Sequence, residues 1–122
     1  MRVERLENMV HGWFVGDFEP HVLKTSDVEV GVKTYQAGEY ESWHYHRVAA
    51  EVTVIVTGEV EMNGRRYGAG DILVIEPGEG TDFRALTDVT NVVVKFPGAS
   101  DDKYEDRDGA VRDALPEESW PC

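Results

Sequence analysis

Residues 38–58 read GEYESWHYHRVAAEVTVIVTG and contain two histidines and a glutamate at close spacing. His44 and His46 are two positions apart, so in a β-strand both side chains point to the same face. Glu51 follows five residues later, which leaves room for a tight turn and the start of a returning strand. Two imidazoles and a carboxylate can then meet at one point in a sheet, and such a ligand set suits a divalent transition metal. The pattern predicts a metal site with open positions.

Outside this stretch the chain reads as short strands separated by turns. Asn63-Gly64 stands between two strand-like runs and predicts a type I′ hairpin. Turn signals recur roughly every eight to twelve residues, which is typical of an all-β sandwich or barrel. One short helix is predicted within residues 108–115, ending before Pro116. The predicted strands are Val28–Gln36, Trp43–Arg47, Val52–Val56, Ile72–Ile75, Asp82–Leu86 and Asn91–Phe96.

Five residues match the first motif of the cupin superfamily in type and in spacing, and the stretch resembles that motif: Gly38, His44, His46, Glu51 and Gly58. Residues 70–78, GDILVIEPG, resemble its second motif. The resemblance implies an all-β fold, the double-stranded β-helix or jelly-roll barrel. It also implies that His44, His46 and Glu51 bind one divalent transition metal, such as Fe, Mn, Zn or Ni.

The second motif departs from the family pattern at the position of the fourth metal ligand. The family usually has a histidine there, and this chain has Thr81. Threonine is a poor ligand for these metals, so we expect at least one exchangeable position on the metal. The alternative is a domain that works without metal, as some cupins that isomerise or epimerise nucleotide-linked sugars do.

Two further residues are candidates for catalytic proton transfer, Glu76 and Tyr67. If Ile72 and Val74 face the barrel interior, Glu76 does too, near the rim beside Thr81. There Glu76 would serve as a general base or as a replacement metal ligand, and the alternative is a solvent-exposed strand end. Tyr67 is predicted at the mouth of the barrel, although tyrosines in strands usually serve packing.

Two lysines lie in predicted strands, Lys33 and Lys95. They would bind an anionic substrate if they face inward, and an outward, solvated position is the ordinary alternative.

The length of 122 residues predicts one domain with three parts. Residues 1–24 form an apolar N-terminal segment that packs on the barrel, with an extra strand around Trp13-Phe14-Val15. Residues 25–98 form the cupin barrel. Residues 99–122 form an acidic tail, expected to be solvated; the alternative is a tail that packs through Tyr104 or Trp120.

Charge and composition exclude several partners. The net charge is −12, from 24 acidic and 12 basic residues, which argues against binding to a nucleic acid backbone. No apolar run is long enough to span a membrane, and the first residues lack the apolar stretch of a secretory signal. Cys122 is the only cysteine, so no intrachain disulfide can form. We therefore expect a cytoplasmic protein without membrane or nucleic acid partners.

A homodimer is expected from the strand that carries Glu51. If Glu51 points inward, Val52, Val54 and Val56 point outward and need cover. A second copy of the chain is the expected cover. The alternatives are the tail, the N-terminal segment and the second sheet of the same sandwich.

The sequence leaves the function open between classes. The first is a metal-dependent isomerase or dioxygenase acting on a small polar molecule of the sugar or keto-acid class. The second is a non-catalytic module that binds a small ligand or carbohydrate. The third is a metal-free sugar isomerase or epimerase, and the fold does not choose among them.

Overall fold

The computed structural model describes residues 1–119 and shows two β-sheets packed face to face. Three-residue 3₁₀ helices span Leu6–Asn8, Arg107–Gly109 and Glu117–Ser119. The strands are β1 (Trp13–Val15), β2 (Glu29–Tyr35), β3 (Tyr40–His44), β4 (Ala50–Thr57), β5 (Glu59–Met62), β6 (Arg65–Gly68), β7 (Ile72–Ile75), β8 (Glu79–Ala85), β9 (Val89–Phe96) and β10 (Arg112–Asp113). The predicted all-β class is confirmed.

The order of the strands defines the two sheets. The first sheet runs β1-β2-β9-β4-β7. The second runs β10-β8-β5-β6, and β3 also pairs with β8. All pairs are antiparallel except β10 with β8. No helix within residues 1–119 combines the length and the apolar character needed to cross a bilayer.

The hairpin predicted at Asn63-Gly64 joins β5 to β6. Both residues have positive φ, 50° and 77°, as a type I′ turn requires. The Asn63 side chain also donates hydrogen bonds to the carbonyls of Gly80 and Ala114, at 2.9 and 2.8 Å. The turn thereby holds the tail as well as the two strands.

Strand alternation along β4 places the core. Thr53 and Ile55 point inward and are buried, whereas Val56 is half exposed. The parity predicted from Glu51 is therefore confirmed. The core that receives these inward side chains is built mainly of aliphatic residues with one phenylalanine: Ile55, Val60, Met62, Ile75, Phe83, Ala85 and Val89.

The acidic tail packs on the barrel instead of extending into solvent. Tyr104 and Tyr45 exchange backbone hydrogen bonds of 3.0 and 2.9 Å, and their rings stack at 5.5 Å. Of the helix expected within residues 108–115, only the 3₁₀ turn Arg107–Gly109 overlaps the range, and Arg112–Asp113 pairs with β8 as β10 instead. Trp120 and Cys122 lie outside the described residues.

The outer face of the first sheet is uniformly apolar or neutral, and we name it the valine face. Its outward positions carry no charged residue and include two strongly exposed residues on β7, Ile72 at 64% and Val74 at 58%. The second sheet covers the opposite face, and the tail pairs with β8 of that second sheet. By strand alternation the valine face consists of Val30, Val32, Thr34, Ala50, Val52, Val54, Val56, Ile72, Val74, Thr90, Val92, Val94 and Phe96.

Candidate functional site

A cavity of about 540 Å³ lies between the two sheets. The first sheet contributes side chains from β2, β4 and β9, and the second contributes the segment around His44 and His46 and the inner face of β8. The cavity also reaches the N-terminal segment at Trp13 and the tail at Asp102. His44, His46 and Glu51 all line it, so the structure brings the three predicted ligands to one place.

His46 is held by the tail. Strand β3 ends at His44, so His46 lies in the loop that follows it instead of in the strand. Its Nδ1 is hydrogen-bonded to the backbone carbonyl of Asp102. A carbonyl only accepts, so Nδ1 carries the proton and Nε2 is free for other partners.

Asp102 also fixes the loop after His46. Its carboxylate accepts hydrogen bonds from three consecutive backbone N–H groups, those of Arg47 at 2.9 Å, Val48 at 3.1 Å and Ala49 at 3.0 Å. These bonds hold the pKa of Asp102 below its ordinary value even though burial opposes them. One residue of the tail thus positions both the imidazole and the chain that leads to Glu51.

Glu51 faces the free nitrogen of His46. The distance from His46 Nε2 to Glu51 Oε1 is 3.7 Å, and the Thr53 hydroxyl donates to the other carboxylate oxygen at 2.9 Å. Burial lowers the pKa of His46, and the charge of Lys95 lowers it further, while Glu51 opposes both. A neutral His46 presents a lone pair to a carboxylate oxygen, and two acceptors that face each other require a proton donor or a cation between them.

His44 completes the set from the end of β3. Its Nδ1 donates to the carbonyl of Ser42 at 2.9 Å, which again leaves Nε2 free. The two imidazole rings lie 5.4 Å apart at 86°. As the side chains stand, no group of three or more His, Cys, Asp or Glu residues within positions 1–119 is close enough together to hold a metal ion. The donor chemistry suits a metal, but the closed coordination geometry is not formed.

Thr81 lies opposite His44 in the β3–β8 pair and is 6% exposed. It lines the cavity, as the motif comparison predicts, and its hydroxyl donates to the carbonyl of Asp82 at 2.7 Å. Thr81 therefore occupies the position of the missing fourth ligand, and its hydroxyl proton is already used in a hydrogen bond.

Glu76 and Tyr67 do not join this site. The premise that Ile72 and Val74 face inward is wrong, since both are largely exposed, and Glu76 beyond the end of β7 is exposed as well. Glu76 and Tyr67 instead line a separate groove between β7 and the tail. The buried carboxylate on this side of the cavity is Glu79, which is 3% exposed and accepts the backbone N–H of Glu76 at 2.7 Å.

Lys33 and Lys95 face inward and line the cavity. Their ammonium nitrogens lie 5.4 and 5.0 Å from the centroid of the Trp13 ring. Burial lowers the pKa of Lys33, the charge of Lys95 adds to this, and Glu41 and Glu51 oppose it. Strand alternation in β2 and β9 predicts that Lys33 and Lys95 face inward only after the inward side of each strand is known. The contribution of Trp13 and Asp102 has no local signal in the sequence.

The chain is similar in fold to several solved structures. No family model matches it, and no curated protein does. An uncharacterised double-stranded β-helix protein from Klebsiella pneumoniae is 28% identical, with a TM-score of 0.58 over 63% of this chain and 69% of that one. KdgF from Halomonas sp. is 24% identical, with a TM-score of 0.57 over 63% of this chain and 74% of that one.

A sugar phosphate isomerase of the cupin superfamily from Silicibacter pomeroyi is 22% identical, with a TM-score of 0.53 over 58% of this chain and 51% of that one. These structures share the two-sheet barrel that surrounds the cavity described above, and the first is explicitly a double-stranded β-helix. These likenesses show that the chain has the double-stranded β-helix fold, and the spacing of His44, His46 and Glu51 resembles the first cupin motif.

Proposed function

We propose that this protein binds a small polar molecule of the sugar or keto-acid class in the cavity, and that His44, His46 and Glu51 hold a divalent transition metal there. The observation that carries the proposal is the approach of His46 Nε2 to Glu51 Oε1, two acceptors 3.7 Å apart. The free Nε2 of His44 supplies a third atom with a lone pair for a metal in the same cavity. A bound metal would supply Lewis-acid polarisation of a substrate oxygen.

The chain's own residues prepare the site for this role. The Asp102 carbonyl and the Ser42 carbonyl fix the orientation of the two imidazoles by accepting hydrogen bonds from their Nδ1–H groups. Such outer contacts are typical of histidines that bind metals, because they fix the tautomer and raise the basicity of the other nitrogen. The Thr53 hydroxyl holds Glu51 in the same way. The reaction class is isomerisation or oxygenation, and oxygenation requires a redox-active metal.

A metal-free sugar isomerase or epimerase is the second candidate. It is favoured by the open arrangement of the three ligands and by Thr81 in place of the fourth. There His46 would take or give a proton at Nε2 and Glu51 would balance the charge of the imidazolium. A non-catalytic module would use the same cavity for binding alone.

A titration with Mn²⁺, followed by paramagnetic broadening of amide NMR signals, tests the metal site. Because the chain carries a net charge of −12, weak binding to surface carboxylates is the competing outcome. We expect broadening at substoichiometric Mn²⁺ to centre on residues 44–51, and the His44→Ala/His46→Ala variant to lose it. Broadening centred on the acidic tail, unchanged in the variant, would contradict the proposed site.

A further inference from the structure

Two lysines enter the cavity from neighbouring strands. Lys33 lies on β2 and Lys95 on β9, and both ammonium groups lie beside the ring of Trp13. Trp13 reaches this place because its partner in the β1–β2 pair is Gly31, where an added Cβ would lie 2.8 Å from the indole. We name Lys33, Trp13 and Lys95 the lysine–tryptophan wall.

Neither ammonium forms a close ion pair or a hydrogen bond with a side chain of the described chain, although the charges of Glu41 and Glu51 act on Lys33 from a greater distance. Within residues 1–119, Lys33 and Lys95 have no hydrogen bond and no carboxylate within 4.0 Å. Strand register places Glu29 and Glu51 opposite Lys95, yet both carboxylates stay beyond that distance. Contact with the indole ring attracts each ammonium but supplies none of the hydrogen bonds that a carboxylate or a phosphate would accept from it.

Several carboxylates that share the cavity already have donors. The Tyr35 hydroxyl donates to Glu41 at 2.7 Å, and Thr53 donates to Glu51. Backbone N–H groups serve Asp102 and Glu79. Donors other than lysine therefore orient these four acids, although the Oε2 atom of Glu79 accepts no hydrogen bond within the described residues. The two lysines are left for a ligand.

We propose that Lys33 and Lys95 bind the negatively charged group, a carboxylate or a phosphate, of the molecule that occupies the cavity. This inference rests on the proposed function and narrows its substrate to an anionic sugar derivative or a keto acid. Lys95 is the register partner of Glu51. An anion held at the lysine–tryptophan wall therefore places the neighbouring carbon atoms of the ligand toward the His46–Glu51 pair.

Calorimetric titration with three compounds that share one ring tests the proposal: D-glucuronate, D-glucose 6-phosphate and D-glucose. Inorganic phosphate serves as a fourth probe, free of the ring. We expect saturable binding of at least one of the three anions and much weaker binding of glucose. The stronger of the two charged sugars identifies the group as carboxylate or phosphate. Absence of saturable binding for all three anions, or equal binding of glucose, would overturn the proposal.

Lysine variants locate the binding. Lys33→Met and Lys95→Met each remove one charge-assisted contact and should lower the affinity for the anion about tenfold or more. Lys33→Arg should retain part of the affinity because the charge stays. Lys24→Met is the matched control, since Lys24 is exposed and lies near Asp17 and Glu19. Unchanged affinity in both methionine variants, or an equal loss in the control, would contradict the assignment.

The Mn²⁺ titration and the lysine variants together separate this inference from the proposed metal site. If Mn²⁺ does not bind at residues 44–51 while Lys33→Met and Lys95→Met still lose the anion, the binding inference stands alone. If dialysis against a chelator abolishes anion binding while both methionine variants retain it, the anion binds elsewhere and the inference is overturned.

Discussion

At the scale of single residues, the site depends on contacts between distant parts of the chain. His46 and Asp102 are 56 positions apart, and the carbonyl of one sets the tautomer of the other. The spacing of His44, His46 and Glu51 predicts that they share a cavity, and they do. The assumed strand alternation is not the reason, because β3 ends at His44 and His46 lies in the loop that follows. The approach of Asp102, Lys33 and Lys95 depends on tertiary packing, so the sequence leaves their positions open.

Adding the fourth ligand of the cupin pattern should strengthen the proposed metal binding. Thr81 lies opposite His44 and lines the cavity, so Thr81→His would add an imidazole at a place that already faces the site. We expect the affinity for Zn²⁺ to rise about tenfold or more, measured by competition with a chelating dye. Arg84→His is the control, because Arg84 lies on the same strand and is exposed. Equal or weaker affinity for Thr81→His would show that this side chain does not reach the metal.

At the scale of elements, the strands follow from local patterns and the tail does not. β2, β4, β7 and the Asn63-Gly64 hairpin lie close to their predicted positions, since alternation and turn residues specify them. Most of the predicted helix within residues 108–115 does not form, because the backbone finds hydrogen-bond partners in and beside β8. The N–H groups of Val111 and Ala114 donate to the carbonyls of Gly78 and Gly80. Such pairing overrides weak local propensity.

The tail should stabilise the barrel through Asp102. Replacement by alanine leaves the N–H groups of Arg47, Val48 and Ala49 without their acceptor. We expect Asp102→Ala to lower the free energy of unfolding by about 1–3 kcal/mol in urea at neutral pH. Asp108→Ala is the control, because Asp108 is an exposed carboxylate of the same tail and should change stability little. A similar, small effect of both variants would mean that Asp102 does not anchor the tail.

At the scale of the whole molecule, the valine face is an exposed apolar surface of a strongly acidic chain. Its outward positions on β2, β4, β7 and β9 carry no charge, although the chain as a whole carries −12. Val52 is paired with Val74 on one side and Val94 on the other, so aliphatic rows run across the sheet. A twofold axis lays such a face on its own copy and buries both. We propose that this face forms a homodimer.

Val54→Asp tests the dimer. Val54 lies between Ile72 and Val92 in strand register, near the centre of the face. We expect analytical ultracentrifugation to show a dimer for the original protein and a monomer for Val54→Asp. Val3→Asp is the control, since Val3 is 77% exposed and lies outside the sheets. A monomeric original protein at high micromolar concentration would sink this proposal.

Elemental analysis of protein purified without an affinity tag or chelator tests the proposed metal site of His44, His46 and Glu51. We predict about one transition-metal ion per chain in the original protein. The His44→Ala/His46→Ala variant should contain almost none while remaining a folded β protein by circular dichroism, and the His11→Ala control should keep its metal. A metal-free original protein, or a double variant that retains the full metal content, would contradict the account.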